Sequence, residues 1–473
     1  MKKLTFSFLI TILSVLPSFA RLRLPAIVSD GMVLRSGDAR IWGFGTPGDS
    51  VTVSPSWLPG DEYITVVDPA GKWAVKVSTG KASDQAVSFD VTDGKSSITV
   101  SDVLIGETWL CSGQSNMVFP VGEHTDSLTW QTGMETAEAE LKDADYPMLR
   151  LFTVEFALSD DRPLDDCKGR WVKATPESVY DFSAVGFVFG RRLVKELGCP
   201  VGLVLSAVGA TSIESWIDLD IQRDNHIFNQ QKWSYSPLRR PEHYNFRVPG
   251  TLWHAMIHPI IPYEVTGTIW YQGESNAYAA QNYREQMKIL IESWRHERRQ
   301  PDMPFYYVQI APYFDRSPYI REAQEQILHE GLGNVGMAVI TDAGDSLDVH
   351  PRNKIAPGER LARIALVKTY GHQGTAMGPL KSHVEYRGGA AVVYFDNADG
   401  LKTPDGEDVI GFVIAGEDGR LYPAKAEING RKVTVKSPYV DKPCEVRYGF
   451  ENFPRLNLFN GEGLPASPFR DRK

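Results

Sequence analysis

The chain of 473 residues predicts an α/β protein, in which a doubly wound parallel sheet is flanked by N-terminal and C-terminal β-rich regions. Compact apolar runs without polar alternation recur through the middle of the chain, as is typical of strands buried on both faces of a sheet. Amphipathic helical patterns separate these runs and would cover the sheet. Short segments of alternating polarity, broken by glycine and proline turns, precede and follow this region and predict antiparallel strands.

These changes of pattern divide the chain into four predicted units, because a chain of this length usually forms several domains of about 100 to 200 residues. The units are residues 1–20, a signal peptide; residues 21–102, an N-terminal β-sandwich domain; residues 103–370, the α/β domain; and residues 371–473, a C-terminal β-rich region.

The first unit has the composition of a cleaved secretory signal. Lys2 and Lys3 precede an apolar run, and the small residues Ser18 and Ala20 follow it where a signal peptidase would cut. The run is shorter than the roughly 20 residues needed to cross a membrane. We therefore expect a periplasmic or secreted protein of bacterial type without membrane insertion.

The second unit contains period-two alternation with turns at a spacing of about ten residues, which is typical of an antiparallel sandwich. Its predicted strands are Ala39–Trp42, Ser50–Val53, Ile64–Val67, Trp73–Val77, Val87–Val91 and Ser97–Val100.

The third unit alternates buried strands with helices, the pattern of a parallel sheet. Its predicted strands are Val103–Cys111, Val201–Ala207, Val265–Tyr271, Phe305–Ile310 and Val335–Thr341. Its predicted helices are Val185–Leu197, Asn282–Arg295, Tyr319–Glu330 and Pro357–Lys368.

The fourth unit returns to short strands, with a hairpin turn at Asn429–Gly430. Its predicted strands are Ala390–Phe395, Gly411–Ile414, Ala426–Ile428 and Lys432–Val435.

Composition limits the partners that the protein can have. Lys+Arg total 50 against 59 for Asp+Glu, a formal charge of -9, so we expect neither nucleic acid nor an anionic membrane surface as a partner. The four cysteines allow three disulfide connectivities, and their spacing selects none. No zinc-binding or Walker-type motif occurs, so we predict no metal and no cofactor. The sequence does not indicate an oligomeric state.

Residues with groups that can take part in catalysis follow four of the predicted central strands, at the edge where ligands bind in open parallel sheets. These residues are Ser115, Gly209, Asn276 and His350. A serine hydroxyl, a histidine and several N–H donors are the groups that acyl transfer requires. Each residue alone also has an ordinary structural explanation, as a turn or capping residue. Their occurrence at successive strand ends of one domain favours a shared site.

Three segments carry a family resemblance. They are Gly113-Gln114-Ser115-Asn116-Met117, Trp270-Tyr271-Gln272-Gly273-Glu274-Ser275-Asn276 and Asp348-Val349-His350-Pro351. They resemble the motif blocks of SGNH hydrolases, and their order is similar to that of the sialate O-acetylesterase family. The resemblance covers most of the chain after residue 20. It implies a carbohydrate O-acetylesterase that removes O-acetyl groups from sialic acids, with an O-acetylated sugar as its only expected partner.

The resemblance also implies roles for the motif residues. Ser115 would be the nucleophile and His350 the base, and the Ser115 N–H would form the oxyanion hole with Gly209 and Asn276. Gln114, Gln272 and Glu274 lie in the same segments and are candidates for binding the sugar.

The acid of the site is less well defined, because the wider SGNH pattern has an aspartate three residues before the histidine and this chain has Leu347 there. We select Asp348 to orient the His350 ring, with Asp345 and Asp342 as alternatives. A backbone carbonyl is a further alternative.

Other functions remain open at this point. An acetylesterase for other acetylated glycans, such as xylan, would have the same motifs. Glu274 and Asp345 would be the carboxylate pair of a glycosidase, which requires two such groups. A carbohydrate-binding protein without activity is a further alternative, although it would be free to lose any of the site residues.

Gly-x-Ser-Asn occurs twice, at Ser115 and at Ser275, and the order of the motif blocks assigns the nucleophile to the first copy. We expect Ser115→Ala to abolish esterase activity, because no other hydroxyl would form the acyl-enzyme. Ser275→Ala is the matched control and should retain the nucleophile. Mass spectrometry of the acetylated enzyme checks this, and an acetyl group trapped on Ser275 would reverse the assignment.

Overall fold

The computed structural model describes residues 21–124, 133–160, 162–223, 225–229, 248–404 and 406–473. The predicted signal peptide, residues 1–20, lies outside the described residues.

The N-terminal region is built from short strands, as predicted. They are β1 (Val33–Arg35), β2 (Gly37–Phe44), β3 (Ser50–Pro55), β4 (Tyr63–Val66), β5 (Lys72–Gly80) and β6 (Ser83–Thr92). Strands β2 and β5 form an antiparallel pair, and β3 pairs with both β4 and β6. The alternating burial along β3 fits a strand with one face in the core.

Strand β7 (Ser97–Gly113) connects this region to the central sheet. Its first part pairs with β6, and the part from Glu107 onward pairs with strands of the central sheet. At Asp102 the backbone has a φ of 54°, and the Asp102 carboxylate binds the Arg150 guanidinium through bonds of 2.9 and 3.0 Å. One strand therefore runs across the predicted boundary between residues 102 and 103, and the domain division stays a prediction.

The central sheet is parallel apart from one edge strand. Its further strands are β8 (Tyr146–Thr153), β9 (Trp171–Ala174), β10 (Val201–Ala207), β11 (Gly267–Tyr271), β12 (Phe305–Val308) and β13 (Val335–Ala338). The order is β13-β12-β11-β7-β10-β8-β9, and only β9 runs antiparallel to its neighbour. After β7 the chain forms β8, β9 and β10 on one side of this strand and then crosses to β11 on the other side, which opens a crevice beyond the end of β7.

Helices cover both faces of the sheet, which confirms the α/β fold class. They are α1 (Ser115–Val118), α2 (Ala137–Lys142), α3 (Pro176–Tyr180), α4 (Ala184–Leu197), α5 (Leu219–Arg223), α6 (His226–Asn229), α7 (Ala280–Arg298), α8 (Pro318–Gln326) and α9 (Ile355–Lys368). Helices α4 and α9 pack together on one face, and α7 and α8 pack together on the other. Gly358 permits the first contact, because a Cβ there would lie 2.6 Å from Val188 Cβ.

Short helical turns add to these helices, and one of them carries site residues. The 3-10 turns are Ile213–Trp216, His258–Ile260, Glu274–Ala279 and Ile327–His329, and the π-helical turn is Trp253–Ile257.

The C-terminal region consists of two four-stranded antiparallel sheets with a shared apolar core. Its strands are β14 (Leu380–Arg387), β15 (Ala390–Asp396), β16 (Phe412–Ala415), β17 (Leu421–Pro423), β18 (Lys425–Asn429), β19 (Lys432–Lys436), β20 (Glu445–Tyr448) and β21 (Phe469–Arg472). The predicted turn at Asn429–Gly430 joins β18 to β19, and Gly430 supplies the positive φ of 61° that the turn needs.

The C-terminal region also holds a loop of the α/β region, residues 311–317. The Asn452 amide donates to the Phe314 carbonyl at 2.7 Å, and the Asn452 carbonyl accepts from the Tyr313 N–H at 3.3 Å. Nearby, Arg470 binds the Glu322 carboxylate through two bonds of 2.8 and 3.1 Å. The position of this loop therefore depends on the last hundred or so residues of the chain.

No cysteine pair is joined by a disulfide: Cys111, Cys167, Cys199 and Cys444 are all free thiols. Within the described ranges, no helix is both long and apolar enough to cross a membrane.

Candidate active site

Ser115 lies where β7 ends and turns into α1. Gly113, the last residue of β7, has a φ of 139°, and a Cβ there would lie 2.2 Å from the Tyr271 carbonyl oxygen of β11. Only glycine fits this approach. The strand therefore ends tightly against β11, and Ser115 follows as the first residue of α1, in the crevice between β10 and β11.

The His350 ring is placed directly against this serine. His350 Nε2 lies 2.9 Å from Ser115 Oγ, although the two residues are 235 positions apart in the chain. The distance is that of a hydrogen bond between a nucleophile and its base. The structure thus brings together the two residues that the sequence placed at separate strand ends.

Asp348 lies beside the other nitrogen of the ring. Its Oδ1 is 3.6 Å from His350 Nδ1 and accepts a hydrogen bond of 2.8 Å from the His350 backbone N–H. The second contact bends the loop, so a side chain two positions before the histidine reaches the ring. The distance to Nδ1 is longer than a hydrogen bond.

The other two candidate acids are engaged elsewhere. The Asp342 carboxylate binds the Arg360 guanidinium through two bonds of 2.6 Å each, and Asp345 Oδ1 accepts from the Leu347 N–H at 2.8 Å. Leu347 itself is 84 % exposed. Of the three aspartates, Asp348 is the one whose carboxylate faces His350.

The His350 ring is neutral at neutral pH. Burial lowers its pKa to about 3, and the positive charges of Lys354 and Arg316 act in the same direction. A neutral imidazole can accept a proton at Nε2, as a general base must.

The two predicted oxyanion donors follow β10 and β11, the strands on either side of β7, which leads into Ser115. A Cβ on Gly209 would be 3.6 Å from Ser115 Cβ, so the backbone after β10 passes close to the serine. The Asn276 side chain is held in a single orientation: its Oδ1 accepts from the Ile213 N–H at 3.0 Å, and its Nδ2 donates to Glu214 Oε2 at 3.0 Å. An amide nitrogen carries two hydrogens, and the bond to Glu214 uses one of them.

The three candidate sugar contacts are buried and bonded to protein groups. Gln114 Oε1 accepts from two backbone N–H groups, those of Gly273 at 3.3 Å and of Ser275 at 3.4 Å. Gln272 Nε2 donates to Asn276 Oδ1 at 2.7 Å. Glu274 accepts from Asn116 Nδ2 at 2.6 Å. Their predicted contact with the sugar stays a prediction.

Comparisons with known proteins identify the family of the chain. The family model described as carbohydrate esterase, sialic acid-specific acetylesterase matches residues 106–367, more than half of the chain. The chain belongs to this family. It is therefore a carboxylic ester hydrolase of the carbohydrate O-acetylesterase type, as the sequence motifs implied, and the glycosidase interpretation is not supported.

Individual relatives align with this chain over most of their own length. The esterase is 31% identical over 513 residues to the sialate O-acetylesterase of Homo sapiens, covering 94% of this chain and 92% of the relative. It is 32% identical over 428 residues to that of Mus musculus, covering 77% and 76%. A crystal structure of a carbohydrate acetylesterase from Xanthomonas citri superposes with a TM-score of 0.85 at 34% identity, covering 96% of this chain and all of that one.

Two buried charges of the esterase escaped the sequence analysis. Glu214 holds the amide of Asn276 and that of Gln286, at 3.0 Å each. Lys354 is fully buried beside the serine turn. Glu214 stands in the turn Ile213–Trp216, where two of the four residues are polar, so the segment carries no signal of a buried carboxylate. Lys354 lies among ordinary polar residues and gives no such signal either.

The low pKa of His350 predicts an unusual pH dependence. We expect kcat/KM of the esterase to stay level from pH 8 down to about pH 5 and to fall only below that, because the base of the free enzyme titrates far below 6.5. The measurement is kcat/KM on p-nitrophenyl acetate against pH.

Circular dichroism at each pH is the control. The unfolded state binds a proton at His350 near pH 6.5 and the folded state only near pH 3, so acidification in this range also lowers stability. An acid limb centred near 6.5 with the fold intact would contradict the prediction.

Proposed function

We propose that this esterase removes O-acetyl groups from sialic acids, through an acetyl-enzyme intermediate on Ser115. The contact of 2.9 Å between Ser115 Oγ and His350 Nε2 carries the proposal. The names of the human and mouse relatives, both sialate O-acetylesterases, support the choice of sugar. An acetylesterase for other acetylated glycans, such as xylan, is the alternative.

In the first half-reaction, His350 Nε2 takes the proton of Ser115 Oγ as this oxygen attacks the acetyl carbonyl carbon. The tetrahedral oxyanion accepts hydrogen bonds from the N–H groups of Ser115 and Gly209 and from Asn276 Nδ2. The carbon–oxygen bond to the sugar then breaks, and the sugar oxygen takes the proton from His350. The acetyl group remains on Ser115.

In the second half-reaction, a water molecule replaces the sugar. His350 Nε2 takes a proton from this water as it attacks the acetyl carbon, and the same donors hold the second oxyanion. The bond to Ser115 Oγ breaks, the proton returns to this oxygen, and acetate leaves. Asp348 holds the ring and stabilises the positive charge that it carries between these steps.

Glu214 supports this oxyanion hole from behind. Because its Oε2 accepts one hydrogen of the Asn276 amide, and Asn276 Oδ1 is bound by a backbone N–H, the second hydrogen has a fixed direction. A donor fixed in advance needs no reorganisation when the oxyanion forms.

We also infer that the esterase is exported from the cytoplasm. The inference rests on the basic and then apolar sequence of residues 1–20, which has the form of a cleaved signal.

Acetate release tests the proposed substrate. We expect the esterase to release acetate from 9-O-acetylated sialic acid with a kcat/KM at least about tenfold above that on acetylated xylan, and Ser115→Ala to release none from either. A higher kcat/KM on acetylated xylan would instead support the alternative, an acetylesterase for other acetylated glycans. Retained activity in Ser115→Ala would refute the acetyl-enzyme mechanism.

Asp348→Asn tests the acid. We expect kcat to fall by at least about 100-fold, because the ring loses the group that fixes its tautomer. Loss of the carboxylate of a serine triad can lower kcat by roughly 10,000-fold, which sets the upper limit of the effect. Asp342→Asn is the matched control and should retain most activity, since Asp342 binds Arg360 instead of the ring. Full activity of Asp348→Asn would assign the orienting role to a backbone carbonyl.

A further inference from the structure

A buried polar network lies directly behind the serine turn. Asn116, the residue after Ser115, uses both ends of its side-chain amide. Its Nδ2 donates to Glu274 Oε1 at 2.6 Å and to the Val349 carbonyl at 3.0 Å, and its Oδ1 accepts from Lys354 Nζ at 2.6 Å. Three segments that are far apart in the chain therefore meet at one amide.

Each partner of Asn116 stands next to a functional element. Val349 immediately precedes His350, so the bond to its carbonyl fixes the loop that carries the base. Glu274 begins the 3-10 turn that contains Asn276. Lys354 is the N-cap residue of α9. A shift of Asn116 would move the base relative to the nucleophile, which precedes Asn116 in the chain.

The network is buried and charged. Lys354 and Asn116 have no exposed surface, and Glu274 has 4 %. The Lys354 ammonium lies 4.4 Å from the centre of the Phe119 ring and 5.7 Å from that of Tyr271, within the range of a cation–π contact. Burial is unfavourable for a charge that lacks a well-formed partner, so stability alone is a poor reason for a lysine at this position.

We propose that Lys354 is a positioning residue of the esterase, which acts through Asn116 to hold the His350 loop against Ser115 and places a positive charge behind the base. The inference rests on the proposed roles of Ser115 and His350. Glu274 is the third member of this network and orients Asn116 from the opposite side. We name the three residues, Lys354, Asn116 and Glu274, the Asn116 network.

The charge of Lys354 acts directly on His350. Within the described part of the chain, the charged groups around the His350 ring include Lys354 at the start of α9, Arg316 on the loop 311–317 and Asp348 on its own loop. Burial lowers the pKa of Lys354 to about 7, with Glu274 and Asp348 opposing this change. At the acidic pH where His350 titrates, near its pKa of about 3, Lys354 is therefore a cation that disfavours protonation of the ring.

Lys354→Met separates this role from a structural one. Methionine is an uncharged side chain of similar length that can fill the site. Because the buried Asn116 Oδ1 loses its donor and the Glu274 carboxylate its nearby cation, we expect the variant to fold with a lower melting temperature. Without the hydrogen bond to Asn116, kcat on p-nitrophenyl acetate should fall by about 10- to 100-fold while KM changes little, as is typical when a reacting group is misplaced. Without the charge, the acid limb of kcat/KM should move to higher pH.

Lys354→Gln and Lys368→Met complete the experiment. Glutamine keeps a donor for Asn116 but removes the charge, so it should give the same shift of the acid limb with a smaller loss in kcat; it also carries the test if the methionine variant does not fold. Lys368 lies at the other end of α9 and binds the Val335 carbonyl at 2.6 Å, so Lys368→Met should change neither parameter.

The outcomes are distinct. If Lys354→Met and Lys354→Gln fold and keep the wild-type kcat and acid limb, the inference is overturned. It is also overturned if both lose activity together with melting temperature while the acid limb stays in place, since this is the result of a structural role. p-Nitrophenyl acetate keeps the test independent of the sugar. Full activity of Ser115→Ala on this ester would refute the proposed mechanism itself.

Discussion

The arrangement of the active site depends on how closely β7 lies beside β11 at the end of both strands. The Tyr271 carbonyl oxygen lies so close to Gly113 that there is no room between the two strands for a side chain at this position. The chain must then turn outward, and the turn presents Ser115 at the switch point of the sheet. Asn276 and Glu274 follow β11 by a few residues, so the same approach also sets their distance from the serine. The loop that carries His350 follows a third strand, β13. Asn116 holds this loop beside Ser115 through its hydrogen bond to the Val349 carbonyl.

Much of this arrangement could be predicted from the sequence. The apolar runs of the central strands have no polar interruptions, so their existence was evident. The residues after these strands then pointed to one edge of the sheet. Ser115, Asn276 and His350 follow from that reasoning and from the motif resemblance, whereas their distances do not.

The parts that were missed have physical reasons. Strand β8 was not predicted because it contains the charged residue Arg150, which interrupts the apolar pattern of a central strand. Arg150 is nevertheless buried, and its guanidinium binds the Asp102 carboxylate. The polar Asp102 also hid the continuity of β7. Lys354 and Glu214 were missed for a similar reason: a buried charge is defined by its partners in space, and these partners lie 238 and 62 positions away. Sequence patterns within one segment do not contain that information.

The continuity of β7 limits where the chain can be divided into fragments that fold. One strand pairs with β6 and β1 in the N-terminal sheet and then continues as an inner strand of the central sheet. A fragment that starts at residue 103 would leave its first strand without β6, exposing backbone groups that are now paired. The N-terminal region therefore cannot be removed without disrupting the central sheet. In chimeras of related esterases, a crossover in a loop between later elements should disturb the fold less than a crossover at residue 103.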